Sequence, residues 1–349
     1  MKAVTVVPLK KASAELSDIA EPHVKEGSVL VETLAVGVCG TDVDIANGEY
    51  GWSPPGHDRL VIGHESVGRI VEAPSGGGFS KGDLVVGIVR RPDPVPCFAC
   101  AIGQWDACTN GKYTEHGIKE LHGFMRKYYR ASPDALIKVD GSLGHLGVLL
   151  EPTSVVAKAW ALIETVGAKN AWQPKTVVVV GAGPIGLLAA LIAVQRGLEV
   201  HVVDRVTTGV KPEIVEKLGA RYLTGSISEA CKAPDIIIEC TGVPKLVFDA
   251  MQAVGTDGVV CLTGVTPKSA NFAIDGGTIA RSMVLGNKIV VGSVNANRRH
   301  YEQGAKVLEA TDPALLARLI TRVVPIERFE AALDHGEDDI KVVVQIAPW

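Results

Sequence analysis

A glycine-rich turn between a strand and a helix restricts the fold of this chain more than any other feature. Residues 176–180 form a β-branched run that suits a strand buried on both faces, and the turn 181–186 reads G-A-G-P-I-G. Residues 187–196 continue as an apolar helix, and a second strand, 199–203, ends in an aspartate. This order of elements predicts a dinucleotide-binding unit in a parallel sheet.

The turn and the aspartate each predict a contact with the nucleotide. The glycines let the backbone approach a pyrophosphate, and the N-terminus of the following helix attracts its negative charge. Asp204 would accept hydrogen bonds from ribose hydroxyls, which favours NAD, while Arg205 beside it would tolerate the 2′-phosphate of NADP. We expect NAD to be preferred and NADP to be accepted. The predicted contacts in the turn are Gly181, Gly183, Pro184, Ile185 and Gly186.

Three further strand-and-loop units repeat the pattern along the chain. The strands 235–239, 258–262 and 288–292 each run into a short loop, and a helix-like segment, 244–254, lies between the first two. Alternating strands and helices predict a doubly wound parallel sheet that binds ligands at the carboxyl ends of its strands. The loop residues expected to contact the cofactor are Thr241, Gly242, Thr263, Gly264, Val265, Ser293, Val294 and Asn295.

The chain on either side of this α/β region has a different pattern. In the first 150 residues, short strands separated by Gly, Pro and Ser clusters predict a compact β-rich domain or barrel. The last part is predicted to form helices and a closing strand that packs on the first domain. Its helical segments are 301–310, 313–323 and 327–334, and its strand is 341–346. Since 349 residues exceed what one core usually serves, we predict domains at 1–150 and 151–295, with 296–349 returning to the first.

Residues far apart along the chain carry the side chains of a catalytic zinc site. Cys39 follows an apolar strand, His64 and Glu65 follow a loop, and Glu151 comes much later. Cysteine, histidine and carboxylate are the ligands of catalytic zinc, which keeps one position open for water or substrate. Asp42 is close enough in sequence to accept a hydrogen bond from His64 and fix its tautomer. The alternatives are a buried apolar cysteine, a core histidine and a carboxylate that gains from a helix dipole.

A second group of cysteines lies in a loop rich in glycine and proline. Cys97 and Cys100 have the Cys-x2-Cys spacing of a zinc half-site, and Cys108 provides a third thiolate. A closed structural site needs a fourth ligand, and Asp93 is the best substitute for a missing cysteine. The alternative is a vacant or partly filled site with three free thiols.

Composition excludes several classes of protein. The net charge of −4, with both signs interspersed, provides no basic surface for nucleic acid. Seven cysteines, several of them at short spacing, indicate metal ligation in a reducing compartment, and the N-terminus lacks a secretory signal, so we expect a cytoplasmic protein. The uncharged stretch 177–194 is interrupted by Pro184 and three glycines, which argues against a membrane span.

Together these motifs resemble the zinc-dependent medium-chain alcohol dehydrogenase superfamily over essentially the whole chain. Within it, the chain looks most like the glucose (aldose) 1-dehydrogenases. The motifs that carry the resemblance are GVCGTD at 37–42, GHE at 63–65, GDLV at 82–85, VRR at 89–91, the cysteine loop, EHGI at 115–118, HGFM at 122–125, LLEP at 149–152, the glycine turn and GSVN at 292–295. The chain departs from the family pattern at Val89 and Val155, where some relatives have polar residues, and in the missing first structural cysteine.

The resemblance implies a GroES-like catalytic domain and a Rossmann domain, assembled as a dimer or tetramer. Cys39, His64 and Glu151 match catalytic-zinc positions, and Glu65 matches a carboxylate that can enter the coordination shell. The residues expected to contact the sugar are Thr41, Glu115, Glu151 and Asn295.

The implied reaction is transfer of a hydride from C1 of an aldose, D-glucose or a related sugar, to NAD(P), giving a lactone. Thr41 would pass on the hydroxyl proton, with Asp44 a later member of the relay. One alternative is a dehydrogenase of the same superfamily that acts on a polyol, an amino alcohol or another secondary alcohol. A more distant alternative is a non-catalytic NAD-binding sensor.

Overall fold

The computed structural model of the chain describes residues 1–169, 171–266, 271–336 and 338–349. It divides into two compact units. The first contains Met1–Ser154 and Ala296–Trp349, and the second contains Val155–Asn295. The sequence-based domain limits at residues 150 and 295 stay a prediction.

The N-terminal part of the first unit consists of short strands with little helix, as predicted. The strands are β1 (Lys2–Val6), β2 (Glu15–Asp18), β3 (Val29–Val38), β4 (Leu60–Val61), β5 (Glu65–Glu72), β6 (Leu84–Gly87), β7 (Arg90–Arg91), β8 (Thr114–His116), β9 (Glu120–Leu121), β10 (Tyr128–Ala131) and β11 (Leu136–Lys138). The helices are α1 (Gly40–Ala46) and α2 (Phe98–Ala101), and α3 (Leu150–Gly167) leads into the second unit.

The second unit is built on one six-stranded sheet. Its strands are β12 (Thr176–Val180), β13 (Glu199–Val203), β14 (Arg221–Leu223), β15 (Ile236–Glu239), β16 (Val259–Leu262) and β17 (Ile289–Gly292). Its helices are α4 (Pro184–Gln195), α5 (Val210–Lys217), α6 (Ile227–Ala230), α7 (Pro244–Ala253) and α8 (Gly276–Leu285). The strand order is β14-β13-β12-β15-β16-β17 and every neighbouring pair is parallel, which confirms the doubly wound sheet.

The C-terminal segment completes the first unit. It contains α9 (Arg298–Glu309), α10 (Pro313–Ala317), β18 (Ile320–Pro325), α11 (Glu330–Leu333) and β19 (Lys341–Gln345). Strand β19 pairs antiparallel with β3. The largest sheet therefore has the order β11-β6-β5-β3-β19-β18, with β10 also paired to β3.

One predicted helix of this segment is wrong in its second half. Residues 313–323 were expected to be helical, but α10 ends at Ala317 and β18 begins at Ile320. The β-branched run I-T-R-V-V favours an extended strand, and pairing with β19 provides the backbone partners.

An apolar helix in the chain has the length and composition of a membrane span. The helical stretch Gly141–Gly167 meets both criteria, but 78% of its most apolar window is buried inside the protein. Most of this apolar stretch therefore packs in the protein core. The stretch 177–194, considered above, forms β12, the glycine turn and most of α4.

Candidate active site

The site in the first unit begins where β3 ends and α1 starts. Cys39 is the N-cap of α1, and its Sγ accepts a hydrogen bond from Thr41 N at 3.3 Å. Asp42 completes a capping box, because its Oδ2 accepts from Cys39 N at 3.0 Å. Local helix-capping chemistry therefore places the sulfur at the N-terminus of α1.

His64 lies against this sulfur. Its Nε2 is 3.1 Å from Cys39 Sγ, and its Nδ1 is 3.3 Å from Asp42 Oδ1, too poorly aligned for a hydrogen bond. Asp42 Oδ1 also accepts from Gly63 N at 3.1 Å. Although burial raises the pKa of Asp42, His64 and then Cys39 N lower it, and the net shift is downwards. The carboxylate thus lies beside Nδ1 while Nε2 faces Cys39, and the role of Asp42 in fixing the tautomer of His64 stays a prediction.

Glu65 joins this pair from the first position of β5. The ligand atoms of Cys39, His64 and Glu65 lie within 4.8 Å of one another, close enough to share one metal ion. Both oxygens of Glu65 also accept from Lys341 Nζ, at 2.7 and 2.6 Å. Sequence reasoning missed Lys341. Its only signal is a single lysine at the head of the otherwise apolar strand K-V-V-V.

Glu151 is buried in the first turn of α3, as the sequence predicted. Burial raises its pKa to about 7, His64 acts in the opposite direction, and Glu65 adds to the increase. Among the described residues, the carboxylate oxygens of Glu151 are not part of the group of ligand atoms that lie within 4.8 Å of one another. The role of Glu151 as a zinc ligand therefore stays a prediction.

The proposed proton relay starts on α1. Thr41 is half-buried in the first turn of this helix, and Asp44 is exposed three residues further along. Burial and the negative charge of Glu49 raise the pKa of Asp44. Residues three apart on a helix lie on the same side, so the two side chains share one face of α1. The relay role of both residues stays a prediction.

Glu115, another predicted sugar contact of the first unit, is a buried residue on β8. Its Oε1 accepts from Arg90 Nε at 3.0 Å, and the Arg90 guanidinium lies 3.7 Å from the centre of the Tyr113 ring. The pKa of the half-exposed Tyr50 is raised mainly by its partial burial and, to a smaller extent, by the negative charge of Glu115. The carboxylate is therefore held in one orientation by Arg90.

The second cysteine group also comes together. The sulfurs of Cys97, Cys100 and Cys108 lie within 4.8 Å of one another. Asp93 is buried nearby, but its Oδ1 accepts from Val95 N at 2.8 Å and its Oδ2 accepts from the amide of Asn110. Among the described residues this carboxylate is not part of the sulfur group, and its role as fourth ligand stays a prediction.

The glycine turn of the second unit has three glycines in three different environments. Gly181 has φ +101°, which a side chain would strain. A Cβ on Gly186 would lie 1.8 Å from Gly181 O, whereas one on Gly183 would meet no described atom within 4 Å. Pro184 is the first residue of α4 and Ile185 the second, so the helix begins three residues earlier than predicted. The open space at Gly183 leaves the backbone accessible to a ligand.

Asp204 follows β13 and faces the same turn. Its Oδ2 accepts from Ala182 N at 2.6 Å, and its Oδ1 accepts from Val206 N at 3.2 Å. Arg205 is exposed beside it. The sequence predicted Asp204 as a ribose contact. It did not predict that Asp204 also accepts a hydrogen bond from the glycine turn.

The loops after β15 and β16 are tied together by a buried carboxylate that sequence reasoning did not single out. Glu239 accepts from the backbone N–H groups of Thr241 and Gly242, at 2.7 and 3.1 Å. Its backbone oxygen accepts from Thr263 N and Gly264 N, at 2.8 and 3.2 Å. A Cβ on Gly264 would lie 2.1 Å from Gly242 N, so the two loops touch backbone to backbone. Val265 is exposed at their rim.

The loop after β17 contributes a buried hydroxyl. Ser293 Oγ has no hydrogen-bond partner among the described residues. Val294 is exposed and its carbonyl accepts from Lys158 Nζ at 2.8 Å, while Asn295 is half-buried with φ +61°. The loops after β12, β15, β16 and β17 thus all lie at the carboxyl edge of the parallel sheet.

Two family models match most of this chain. Residues 25–141 match the alcohol dehydrogenase GroES-like domain, and residues 144–346 match the glucose dehydrogenase C-terminus. The glucose 1-dehydrogenase of Methanocella arvoryzae is 40% identical, with 99% of each chain covered, and that of Thermoproteus tenax is also 40% identical with the same coverage. This chain belongs to the glucose 1-dehydrogenase family of zinc-dependent medium-chain dehydrogenases.

A solved structure in this family has the same fold. The glucose dehydrogenase of Haloferax mediterranei, in complex with NADP, Zn and gluconolactone, superposes with a TM-score of 0.92 and 32% identity, and all of both chains is covered. The match extends over both units, so the GroES-like and Rossmann assignments implied by the sequence are confirmed.

The residues of the first unit fit a zinc ion, and those of the second unit fit a nucleotide. A thiolate, an imidazole and a carboxylate within 4.8 Å form a donor set that suits zinc. In the second unit, the uncovered backbone at Gly183 and the unpartnered Ser293 hydroxyl fit a nucleotide at the sheet edge.

Proposed function

We propose that this protein is a zinc-dependent dehydrogenase that oxidises C1 of an aldose, D-glucose or a close relative, to the lactone, with NAD(P) as hydride acceptor. The observation that carries the proposal is the Cys39–His64–Glu65 donor group on the same chain as the glycine turn, in a family of glucose 1-dehydrogenases. The Haloferax neighbour, with NADP, Zn and gluconolactone, supports the same chemistry.

Zinc would be held by Cys39, His64 and Glu151, with Glu65 beside them. When bound, the ion supplies Lewis acidity that favours loss of the proton from the sugar's C1 hydroxyl. Thr41 would accept that proton and pass it towards Asp44 and solvent. Asp42 would keep His64 in one orientation throughout.

A bound nicotinamide would supply the acceptor for the hydride from C1 of the cyclic aldose, giving NAD(P)H and the lactone. Thr41 and Asp44 would carry away the proton of the C1 hydroxyl. Glu115, Glu151 and Asn295 would orient sugar hydroxyls, and a substrate without those hydroxyls would lose these contacts.

The cofactor would bind through the glycine turn and the loops after β15, β16 and β17. Asp204 would accept from the ribose hydroxyls, and Arg205 would accommodate a 2′-phosphate. We therefore expect both nucleotides to be used, NAD more efficiently than NADP.

The test is a panel of substrates assayed with each cofactor. D-Glucose, related aldoses, polyols, amino alcohols and simple alcohols are incubated with NAD or NADP, and reduced cofactor is followed by absorbance. Aldoses should exceed simple alcohols in kcat/KM by at least about a hundredfold, because a site that hydrogen-bonds substrate hydroxyls discriminates strongly against compounds that lack them. A higher kcat/KM for a polyol or amino alcohol than for any aldose would contradict the aldose proposal. If no compound led to reduction of the cofactor, the alternative of a non-catalytic NAD-binding sensor would be favoured.

The remaining expectations concern assembly and location. We propose that the protein is a cytoplasmic homo-oligomer. We also propose that the cysteine loop holds a structural zinc through Cys97, Cys100, Cys108 and Asp93. Strand β17 lies at one edge of the sheet order, and α8 before it exposes Val284 and Leu285, which suits a self-complementary interface. Sedimentation should yield at least twice the mass of one chain. A monomer at micromolar concentration would contradict the oligomer.

A further inference from the structure

Arg90 is a buried arginine that bonds to two separate parts of the first unit. It lies opposite Glu115 on the antiparallel pair β7–β8, and the two side chains are 7% and 8% exposed. Its Nε donates to Glu115 Oε1 at 3.0 Å, while its Nη1 donates to Trp105 O at 3.4 Å and to Asp106 O at 3.2 Å. The guanidinium therefore bridges a carboxylate and two main-chain carbonyls.

The two carbonyls belong to the cysteine loop. They lie in a short 3-10 helix directly before Cys108, and Trp105 O also accepts from Cys108 N at 3.2 Å. On its other side this helix is held by Asn297, whose Nδ2 donates to Asp106 Oδ1 at 2.7 Å. Arg90 thus shares a carbonyl acceptor with the backbone of one of the three clustered cysteines.

An aromatic ring supports the guanidinium in this position. Arg90 Cζ lies 3.7 Å from the centre of the Tyr113 ring, which is the distance of a stacked cation. Arginine has a planar fork of N–H donors that can stack on a ring and bind several acceptors, whereas lysine has a compact, strongly hydrated ammonium group. The position therefore uses the shape of arginine as well as its charge.

We propose that Arg90 is a positioning residue through which the cysteine loop controls sugar recognition, because it ties the Glu115 carboxylate to the short helix before Cys108. The inference rests on the proposed function, in which Glu115 orients a hydroxyl of the sugar. A misplacement of about 1 Å at such a contact can cost about a hundredfold in rate. A change in the loop would reach the substrate through this one side chain.

The test measures D-glucose and its 2-, 3-, 4- and 6-deoxy derivatives as substrates of Arg90→Lys, Glu115→Gln and the double variant. Each deoxy sugar lacks one hydroxyl, so the hydroxyl that Glu115 contacts is identified by the deoxy sugar on which Glu115→Gln has no effect. Binding of gluconolactone in the presence of NADP is measured by calorimetry, which needs no turnover. The cofactor Kd and the thermal unfolding midpoint are measured on the same proteins.

Arg59→Lys is the matched control. Arg59 also lies in the first unit and donates to two main-chain carbonyls, Thr5 O at 3.1 Å and Ser13 O at 2.7 Å. It contacts neither Glu115 nor the cysteine loop through any of these hydrogen bonds. We expect this variant to keep the wild-type kcat/KM on every sugar.

For glucose, Arg90→Lys and Glu115→Gln should each lower kcat/KM by about tenfold or more and weaken lactone binding by a similar factor. Both variants should spare the same deoxy sugar. The double variant should be no slower than the slower single variant, because the arginine acts through the carboxylate and the two losses are not independent. The cofactor Kd should stay that of the wild type.

Replacement of both Cys100 and Cys108 by serine tests the other end of the bridge. This change removes two of the three clustered sulfurs, and zinc content is measured on the same protein. We expect kcat/KM for glucose to fall while the same deoxy sugar is spared, because the loop that receives Arg90 is loosened. Cys108→Ser alone should show the same pattern to a smaller extent.

Four results would overturn the inference. They are an equal loss on every sugar in Arg90→Lys, losses that multiply in the double variant, wild-type kinetics of Glu115→Gln on all sugars, and wild-type kinetics after replacement of both cysteines. If Arg90→Lys does not fold, Tyr113→Leu, which removes the ring beside the guanidinium, takes its place in the comparison. Failure of the proposed function is a separate result, namely a wild-type protein that neither oxidises glucose nor binds the lactone.

Discussion

Replacement of Cys39 by serine should abolish sugar-dependent reduction of the cofactor while cofactor binding stays intact. The thiolate is a soft, charged ligand held at the N-cap of α1, 3.1 Å from His64 Nε2. Serine keeps the capping geometry, since hydroxyls are good N-caps, but is a far weaker zinc ligand. The variant therefore separates metal ligation from the local fold.

The expected loss is large. A metal ion contributes several kcal/mol of charge stabilisation in the transition state, and about 4 kcal/mol corresponds to about a thousandfold in rate. We expect kcat/KM for glucose to fall by about that factor or more. The Kd for NADP, measured by fluorescence titration, should remain that of the wild type because the nucleotide loops lie in the second unit.

Cys231→Ser is the matched control. This half-buried cysteine lies in the second unit and belongs to neither metal-ligand group in the described part of the chain. It should keep wild-type kcat/KM and zinc content. A fully active Cys39→Ser protein would contradict the proposed role of the cysteine.

The two glycines Gly183 and Gly186 should respond to alanine in opposite ways. At Gly183 the backbone has φ −81° and ψ −175°, which any residue adopts, and a methyl group meets no described atom within 4 Å. Folding should therefore be unaffected. The methyl group would occupy space that the pyrophosphate needs, so we expect the cofactor Kd to rise at least about tenfold, equivalent to about 1.4 kcal/mol.

At Gly186 the same methyl group would lie 1.8 Å from Gly181 O, and backbone atoms cannot move aside cheaply. Overpacking of this kind typically costs about 1–3 kcal/mol, so Gly186→Ala should lower the thermal unfolding midpoint. Calorimetry and cofactor titration on both variants check the contrast. Equal unfolding shifts, or wild-type cofactor affinity in Gly183→Ala, would contradict this reading of the turn.

The sheet of the second unit was predictable because its signals are local. A buried strand, a glycine turn and a helix start occupy consecutive residues, and β13 has the predicted limits, Glu199–Val203. The error at 313–323 arose where periodicity suggested a helix but pairing with β19 determined the structure of Ile320–Pro325. Local sequence does not reveal that a partner strand is available.

The candidate site was predictable in its residue types but not in its pairings. Cys39 and His64 can be identified as candidate zinc ligands from their side-chain types, and Asp42 can be identified from its short spacing to Cys39 along the sequence. Lys341 contacts Glu65 across 276 residues, and a lone lysine in an apolar strand does not indicate its partner. The role of Glu239 was not predictable either, because it accepts hydrogen bonds from two loops that meet only at the edge of the folded sheet.

The most direct test of aldose oxidation uses D-glucose labelled with deuterium at C1. The protein is incubated with the labelled sugar and NADP or NAD, and the reduced cofactor and the sugar product are analysed by mass spectrometry. We expect one deuterium in each reduced cofactor and an unlabelled gluconolactone or its hydrolysis product. Reduced cofactor without deuterium, or a product that retains deuterium at C1, would contradict aldose oxidation.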